Sequence, residues 1–240
     1  VPATLEQARD WIRSASSIAA LTGAGISAES GVPTFRSAGG LWNNYRPEDL
    51  ATPEAFARDP KLVWEWYNWR RERIAQAEPN AGHAALSRLE RDKPRFTLIT
   101  QNVDGLHDRA GNHRILKVHG DIWRLRCTQC NSEWPDRRVA LPKLPPHCQC
   151  GAMARPAVVW FGEPLGAIWE QAEHAARTAE VFLVVGTSAV VYPAAGLIPL
   201  AKQSAAKVIE INPEETPYSN MADCSLRGAA GEILPRLVTL

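Results

Sequence analysis

The sequence predicts an α/β protein built on an open, doubly wound parallel sheet with a smaller second lobe. Three observations lead there. Short, nearly continuous apolar runs alternate with helix-like stretches, the pattern of parallel strands covered on both faces. A glycine-rich turn follows the first of those runs, at the place where such a sheet receives ligands. Two segments, residues 34–78 and 119–156, break the rhythm and read as insertions that form the second lobe.

Taken in order, a helix-like stretch from Leu5 to Arg13 leads into the strand-like run Ser17-Ile18-Ala19-Ala20-Leu21-Thr22. The first insertion carries no strand signal but holds a strong helix opened by Asp59-Pro60, a cap followed by proline at the first helical position. Helix-like Gly82 to Arg91 then precedes the strand Phe96 to Thr100, and the run Ile115-Leu116-Lys117-Val118 follows. Beyond the second insertion come helix-like Ala167 to Arg177, the strand Val181 to Val185, helix-like Pro193 to Lys202 and the strand Lys207 to Ile211.

The composition excludes several classes. With 240 residues, 45% hydrophobic and 22% charged, the chain is long enough for a buried core and is not a disordered sequence. At roughly 150 residues per domain it holds one to two domains. Lys plus Arg number 27 against 26 for Asp plus Glu, a balance that argues against a surface devoted to nucleic acid or anionic lipid. No apolar run approaches the ~18 residues of a membrane span. The chain opens VPATLEQARDW without a basic-then-apolar leader, so a cytoplasmic protein is expected, although an organelle protein shorn of its transit peptide has the same start.

Four of the five cysteines, Cys127, Cys130, Cys148 and Cys150, fall within 24 residues as C-x2-C-x17-C-x-C. Paired clusters of this kind suit a four-thiolate zinc site better than a secreted disulfide scaffold. The second pair is one residue tighter than the usual spacing, which leaves His147 as an alternative ligand and a metal-free ribbon as an alternative state. Cys224 stands apart and reads as a plain small residue. Arg124, Arg126, Arg137, Arg138 and Lys143 make the ribbon basic, and a nucleic-acid module is a competing reading of that segment, against an ordinary solvated face.

Gly23-Ala24-Gly25-Ile26-Ser27-Ala28 matches G-x-G-x-x-[GA] directly after the first strand, where small residues let backbone approach a pyrophosphate. A dehydrogenase also needs an acidic residue about 20 positions on, at the end of a second strand. Glu48 and Asp49 have that spacing, but no strand precedes them; the polar loop Glu29 to Arg36 does. An NAD-dependent oxidoreductase is therefore the weaker reading. Two polar clusters sit at predicted strand ends. One is Thr100-Gln101-Asn102-Val103-Asp104-Gly105-Leu106-His107, the other His119-Gly120. Carboxamide, carboxylate and imidazole groups on neighbouring strand ends point to a site.

GAGISAESGVPTFR (Gly23 to Arg36), TQNVDGLH (Thr100 to His107), His119-Gly120, the paired cysteines, RPAVVWFGE (Arg155 to Glu163) and GTS (Gly186 to Ser188) occur in that order. Together they resemble the sirtuin family of NAD-dependent protein deacylases over nearly the whole chain. The resemblance implies a Rossmann-like NAD-binding domain of residues 1–33, 79–118 and 157–240. It also implies a small lobe made of a cofactor loop with a helical module (34–78) and a zinc ribbon (119–156). NAD and an acyl-lysine protein or peptide would meet between the lobes.

Residue by residue, the resemblance implies NAD contacts from Gly23, Ala24, Gly25, Ala28, Thr34, Phe35, Arg36 and Trp42. Further NAD contacts are implied for Gln101, Asn102, Val103 and Asp104, with Asp104 reading the nicotinamide carboxamide. Gly186, Thr187, Ser188, Asn212, Pro213, Glu214 and Ala230 complete the cofactor set. His119 matches the general base and Asn102 an obligatory catalytic-site residue. The acyl oxygen would attack the ribose carbon as nicotinamide leaves, and His119 would then take a proton from the ribose diol. The four cysteines would hold a structural zinc with no open coordination position. Val159, Phe161, Gly162 and Glu163, with Val191 and Tyr192, resemble the segments that grip substrate as an added strand.

Tyr67 and Arg70, three apart on the predicted helix, and the small Ala38 resemble the branch that removes negatively charged acyl groups. Arg would clamp a terminal carboxylate while the Tyr hydroxyl donates a second bond. Desuccinylase and demalonylase activity above deacetylase activity is expected. Without the resemblance, Tyr67 reads as lobe packing and Arg70 as a solvated charge. Transfer of ADP-ribose to protein is a further option, because it shares the first half of the chemistry.

Overall fold

The structure, a computed structural model, describes residues 3–34 and 47–239. Its larger sheet has six parallel strands. In chain order the first three are β1 (Ser17–Thr22), β2 (Arg95–Thr100) and β3 (Ile115–Lys117). A smaller antiparallel sheet follows, of β4 (Gly120–Cys127), β5 (Glu133–Pro135) and β6 (Ala154–Val158). The chain then returns to the large sheet with β7 (Val181–Val185), β8 (Lys207–Ile211) and β9 (Cys224–Leu226).

The large sheet runs β3-β2-β1-β7-β8-β9. The chain thus builds outward from β1 in one direction, then restarts at β7 and builds the other way. This is a topological switch point, and a crevice opens above the carboxyl ends of β1 and β7.

Period-two alternation explains why both faces are covered. Ile18 and Ala20 of β1, with Val181, Leu183 and Val185 of β7, pack into one core with helices Leu5–Ser14, Ala81–Asp92 and Ala230–Leu237. Ala19, Leu21, Phe182 and Val184 face the other core, under helices Ile168–Thr178 and Leu197–Gln203. The apolar runs of the sequence are continuous because each strand is buried on two sides.

The expected helices appear with shifts of a residue or two at their ends, apart from Pro193 to Lys202. There Ala194–Gly196 forms a single tight 3₁₀ turn before the α-helix begins at Leu197. β9 and the C-terminal helix Ala230–Leu237 were not expected. β9 is three residues long, and the helix carries Pro235 in its interior, a residue that ordinarily signals the end of one.

The second lobe has its own core. Val63, Trp64, Trp66, Tyr67 and Ile74 of helix Pro60–Gln76 pack with Ile122, Leu125, Ala154 and Trp160. The Trp64 indole donates to the Ala154 carbonyl at 2.8 Å and so ties the helix to β6. β6 runs across position 157, and Trp160 beyond it also belongs to this core.

Asp59 caps helix Pro60–Gln76, its carboxylate accepting the Leu62 N–H at 2.9 Å. Asp59→Ala is expected to cost about 1 kcal/mol. The check is a lower urea midpoint with an unchanged denaturant slope.

Candidate active site

The crevice at the switch point is closed at its base by glycines. Gly25 N–H donates to the Gly186 carbonyl at 2.7 Å. A Cβ at Gly25 would lie 2.7 Å from that oxygen, and one at Gly23 would lie 2.7 Å from the Thr187 Cβ. Gly186 adopts φ +57°, and its own Cβ would collide with the Ile26 amide. The turns after β1 and β7 can touch only because all three positions lack a side chain. Helix Gly25–Ala28 is a single turn, so no long dinucleotide-type helix follows the motif.

The ends of β2 and β3 supply the next wall. Gln101 Nε2 donates to Thr187 Oγ1 at 3.1 Å and so spans the switch point. Asn102 Nδ2 donates to the Gly23 carbonyl at 3.0 Å and to Ser27 Oγ at 3.2 Å. His119 Nδ1 lies 3.1 Å from the Gln101 carbonyl. A carbonyl can only accept, so Nδ1 carries the proton and Nε2 keeps the bare lone pair of a base. Burial pushes the His119 pKa below its ordinary value, against the smaller opposing effect of the Gln101 bond.

Behind this wall lies a buried polar network. Ser27 Oγ donates to Asp104 Oδ2 at 2.8 Å and lies 3.4 Å from His83 Nε2. Thr22 Oγ1 bonds to Thr100 Oγ1 at 2.8 Å and to His107 Nε2 at 3.0 Å. Burial lowers His83 to about 4 and His107 well below the usual range, so both imidazoles are neutral. Burial also raises the Asp104 carboxyl, opposed by the Leu106 N–H and Ser27 bonds. Sequence reasoning missed Ser27, His83 and His107 as members of this network. Asn80 was the available signal for His83, since it caps helix Ala81–Asp92 in a reciprocal box with that residue three positions on.

Between the lobes the crevice becomes a cleft of about 660 Å³. Gly23, Ala24, Gly25, Thr34, Gln101, Asn102, Val103, His119, residues 186–188 and residues 212–214 line its large-domain side. Tyr67, Arg70, Val159, Phe161, Gly162, Glu163, Val191 and Tyr192 line other parts of it. Three expected residues do not reach it. Ala28 sits exposed at the end of its helical turn, Asp104 is buried behind the wall, and Ala230 packs against Gly82. Phe35, Arg36, Ala38 and Trp42 lie outside the described residues. Trp66, Val158, Trp160 and Leu165 also line the cleft and were not expected there. Trp66 had a signal, since it stands one helical turn before Arg70, and the guanidinium lies 4.8 Å from its ring centroid.

The sulfurs of Cys127, Cys130, Cys148 and Cys150 all lie within 4.8 Å of one another. Cys127 and Cys150 are 3.4 Å apart, and Cys130 and Cys148 are 3.7 Å apart. Sulfurs on a tetrahedron at zinc–thiolate bond length are spaced about 3.8 Å apart, so the donor set fits a structural zinc. The tight second pair works because the chain turns sharply there. Gly151 takes φ +88° and its N–H donates to the Cys148 carbonyl at 2.9 Å. His147 instead turns to the Pro145 carbonyl at 3.1 Å and is not part of the cluster. In the ribbon, Arg124 and Arg126 pair with Glu133, and Arg138 pairs with Asp136, so much of its basic charge is balanced locally.

A parallel sheet with a glycine-walled crevice at its switch point, roofed by a four-cysteine lobe, defines a nucleotide-binding α/β protein with a ribbon insertion. The sequence matches the Sir2 family over residues 23–193, and the chain belongs to that family. An NAD-dependent protein deacylase of Aquifex aeolicus (strain VF5) is 55% identical to it over 223 residues, which is 92% of this chain and 93% of that protein. The crystal structure of a Sir2 homologue–NAD complex shares 49% identity at a TM-score of 0.92, covering 97% of this chain and 92% of that one. The structure of Sir2Af2 bound to a myristoylated histone peptide shares 34% identity at a TM-score of 0.79, covering 98% and 94%. Among the described residues no helix is long and apolar enough to cross a membrane.

Purified protein is expected to carry about one zinc per chain by elemental analysis, with Cys127→Ser lowering both metal content and thermal midpoint. A stable, active protein empty of metal would overturn the assignment.

Proposed function

We propose that this chain is an NAD-dependent protein-lysine deacylase that removes succinyl and malonyl groups in preference to acetyl. The deacylase reading is supported by the family membership and by a cleft that brings the glycine turns, Asn102 and His119 to one place. Bound NAD would supply an electrophilic ribose carbon and a diol, and with one water consumed the acyl-lysine and NAD would give free lysine, nicotinamide and O-acyl-ADP-ribose. Gly23, Gly25 and Gly186 let the two turns meet and form a crevice floor of bare backbone, which a pyrophosphate could approach closely. Asn102 fixes the turn after β1 beside the reacting groups. His119, with Nε2 bare, takes a proton from a ribose hydroxyl. Phe161 and Tyr192 at the rim are 46% and 66% exposed, an aromatic pair suited to gripping a peptide laid between them.

The acyl preference rests on one observation. Tyr67 and Arg70 are both buried, share one helix face and line the cleft, so the charge is not the solvated one of a plain helix surface. Arg70 offers a terminal carboxylate a forked set of donors, and an acetyl group has no carboxylate to present. Burial lowers the Arg70 pKa, partly offset by Tyr67 and Asp104, and an acidic acyl group favours its charged form further. Incubation with NAD and a panel of acylated lysine peptides, with products weighed by mass spectrometry, tests both levels of the reading.

His119→Ala is expected to lose at least ~10²-fold in rate with the fold intact. The base must be neutral, and a depressed pKa keeps it neutral to lower pH. The acidic limb of the wild-type rate profile should therefore fall below pH 6.5, the ordinary histidine value. Near-wild-type turnover in the variant would remove His119 from the chemistry.

Arg70→Met is expected to cost ~2–3 kcal/mol of transition-state binding for succinyl-lysine, and to lower the succinyl-to-acetyl ratio of kcat/KM. Equal losses on the two substrates would show that Arg70 serves only the fold.

A further inference from the structure

Trp160 lies between the two lobes' functions without a role in either. It follows β6, is 3% exposed and belongs to the small-lobe core, yet one edge reaches the cleft. Its indole Nε1 is 2.9 Å from the Tyr67 hydroxyl. An indole N–H can only donate, so the phenol oxygen must be the acceptor of this bond. The Tyr67 proton then has to point elsewhere, and the cleft is the open direction. Burial raises the Tyr67 pKa, with the Arg70 charge opposing, so the hydroxyl keeps its proton through the neutral range.

The indole is itself held rigidly. The Arg155 guanidinium lies 3.3 Å from the Trp160 ring centroid and forks onto Glu163 at 2.5 and 2.9 Å. Glu163 Oε2 also accepts the Trp160 backbone N–H at 2.8 Å, and Phe56 packs on the ring with centroids 5.3 Å apart. Guanidinium, carboxylate and backbone fix the ring plane and thereby the direction of its N–H.

We propose that Trp160 is a specificity-determining positioning residue. Its indole N–H occupies the acceptor side of the Tyr67 hydroxyl and turns that hydroxyl into a donor aimed into the cleft. Acyl groups whose far end carries a hydrogen-bond acceptor are thereby selected, carboxylates above all. Arg70 supplies the charge, and Trp160 makes its neighbour a second donor rather than an acceptor that would repel the same carboxylate. This inference rests on the acidic-acyl reading given above.

The test compares wild type, Trp160→Phe, Tyr67→Phe and the double variant on succinyl- and acetyl-lysine peptides. Phe keeps an aromatic ring over Arg155 and lacks the N–H. Trp160→Phe is expected to lower the succinyl-to-acetyl ratio of kcat/KM about tenfold, the size of one oriented hydrogen bond, with the loss in the KM for the succinyl peptide. Tyr67→Phe should produce a similar loss, and the double variant no more than either single one. An unchanged ratio in Trp160→Phe, or additive losses in the double variant, overturns the inference and leaves the acidic-acyl reading standing. A wild-type enzyme without acidic preference overturns both. Should Trp160→Phe not fold, a crystal structure of wild type with a succinyl-lysine peptide decides. The Tyr67 hydroxyl is expected within hydrogen-bond distance of both Trp160 Nε1 and the acyl carboxylate, and an indole turned away from it overturns the inference.

Discussion

The contact between the turns after β1 and β7 is the constraint on which the site depends. Three residues without side chains, Gly23, Gly25 and Gly186, let two strand ends meet at van der Waals distance. Any Cβ there would drive the turns apart, and the Gly25 N–H to Gly186 carbonyl bond would break. Everything above the sheet is referenced to that junction. Gln101 reaches across it to Thr187, Asn102 returns to the Gly23 carbonyl, and His119 is held by the Gln101 carbonyl. A nucleotide-sized crevice is therefore already present in the packing of the protein itself.

The second lobe is joined to this junction by equally short links. Ile122 N–H donates to the Val103 carbonyl at 3.0 Å, and the Trp123 indole to the Asp104 carbonyl at 2.7 Å. Trp123 in turn lies 5.1 Å beneath the Arg71 guanidinium, which forms a fully buried ion pair with Asp136 in the ribbon. Such a pair adds little net stability because both charges lose their water, but removing Asp136 would leave the Arg71 guanidinium buried without its counter-charge, whereas Asp136 also pairs with Arg138. Arg71 thus ties helix Pro60–Gln76, the ribbon and the loop after β2 into one piece. The four-cysteine cluster, whose spacing fits a structural zinc, lies a few residues away in the same ribbon.

The fold was legible wherever burial on two sides made apolar runs continuous. β1, β7 and β8 could be read to the residue, because short continuous apolar runs set between helix-like stretches fit parallel interior strands. The capped helix at Asp59-Pro60 was legible for a local reason, since its signal lies in adjacent residues. β9 and the C-terminal helix were not, because a three-residue strand has no period and Pro235 contradicts its own helix. Of the site, the residues at strand ends were visible, whereas His83, Ser27 and Trp160 act through partners 50 or more positions distant. Ser27 looked like an ordinary motif position, and its bond to Asp104 exists only in the fold.

What unites these partners is that they fix protons. Hydroxyls and imidazoles can donate or accept, so their roles are undefined until a neighbour with a single role meets them. The Gln101 carbonyl, an acceptor only, assigns the His119 proton to Nδ1 and bares Nε2. The Asn102 amide N–H, a donor only, meets Ser27 Oγ from one side, so the Ser27 proton goes to Asp104 on the other. The Trp160 indole, again a donor only, leaves the Tyr67 proton to face the cleft. Each of these three ambiguous groups, His119, Ser27 and Tyr67, lies against an unambiguous one, and all are buried or partly buried. Hydrogen-bond polarity is therefore set by the fold before any ligand arrives, so a bound substrate meets donors and acceptors that need not reorganise.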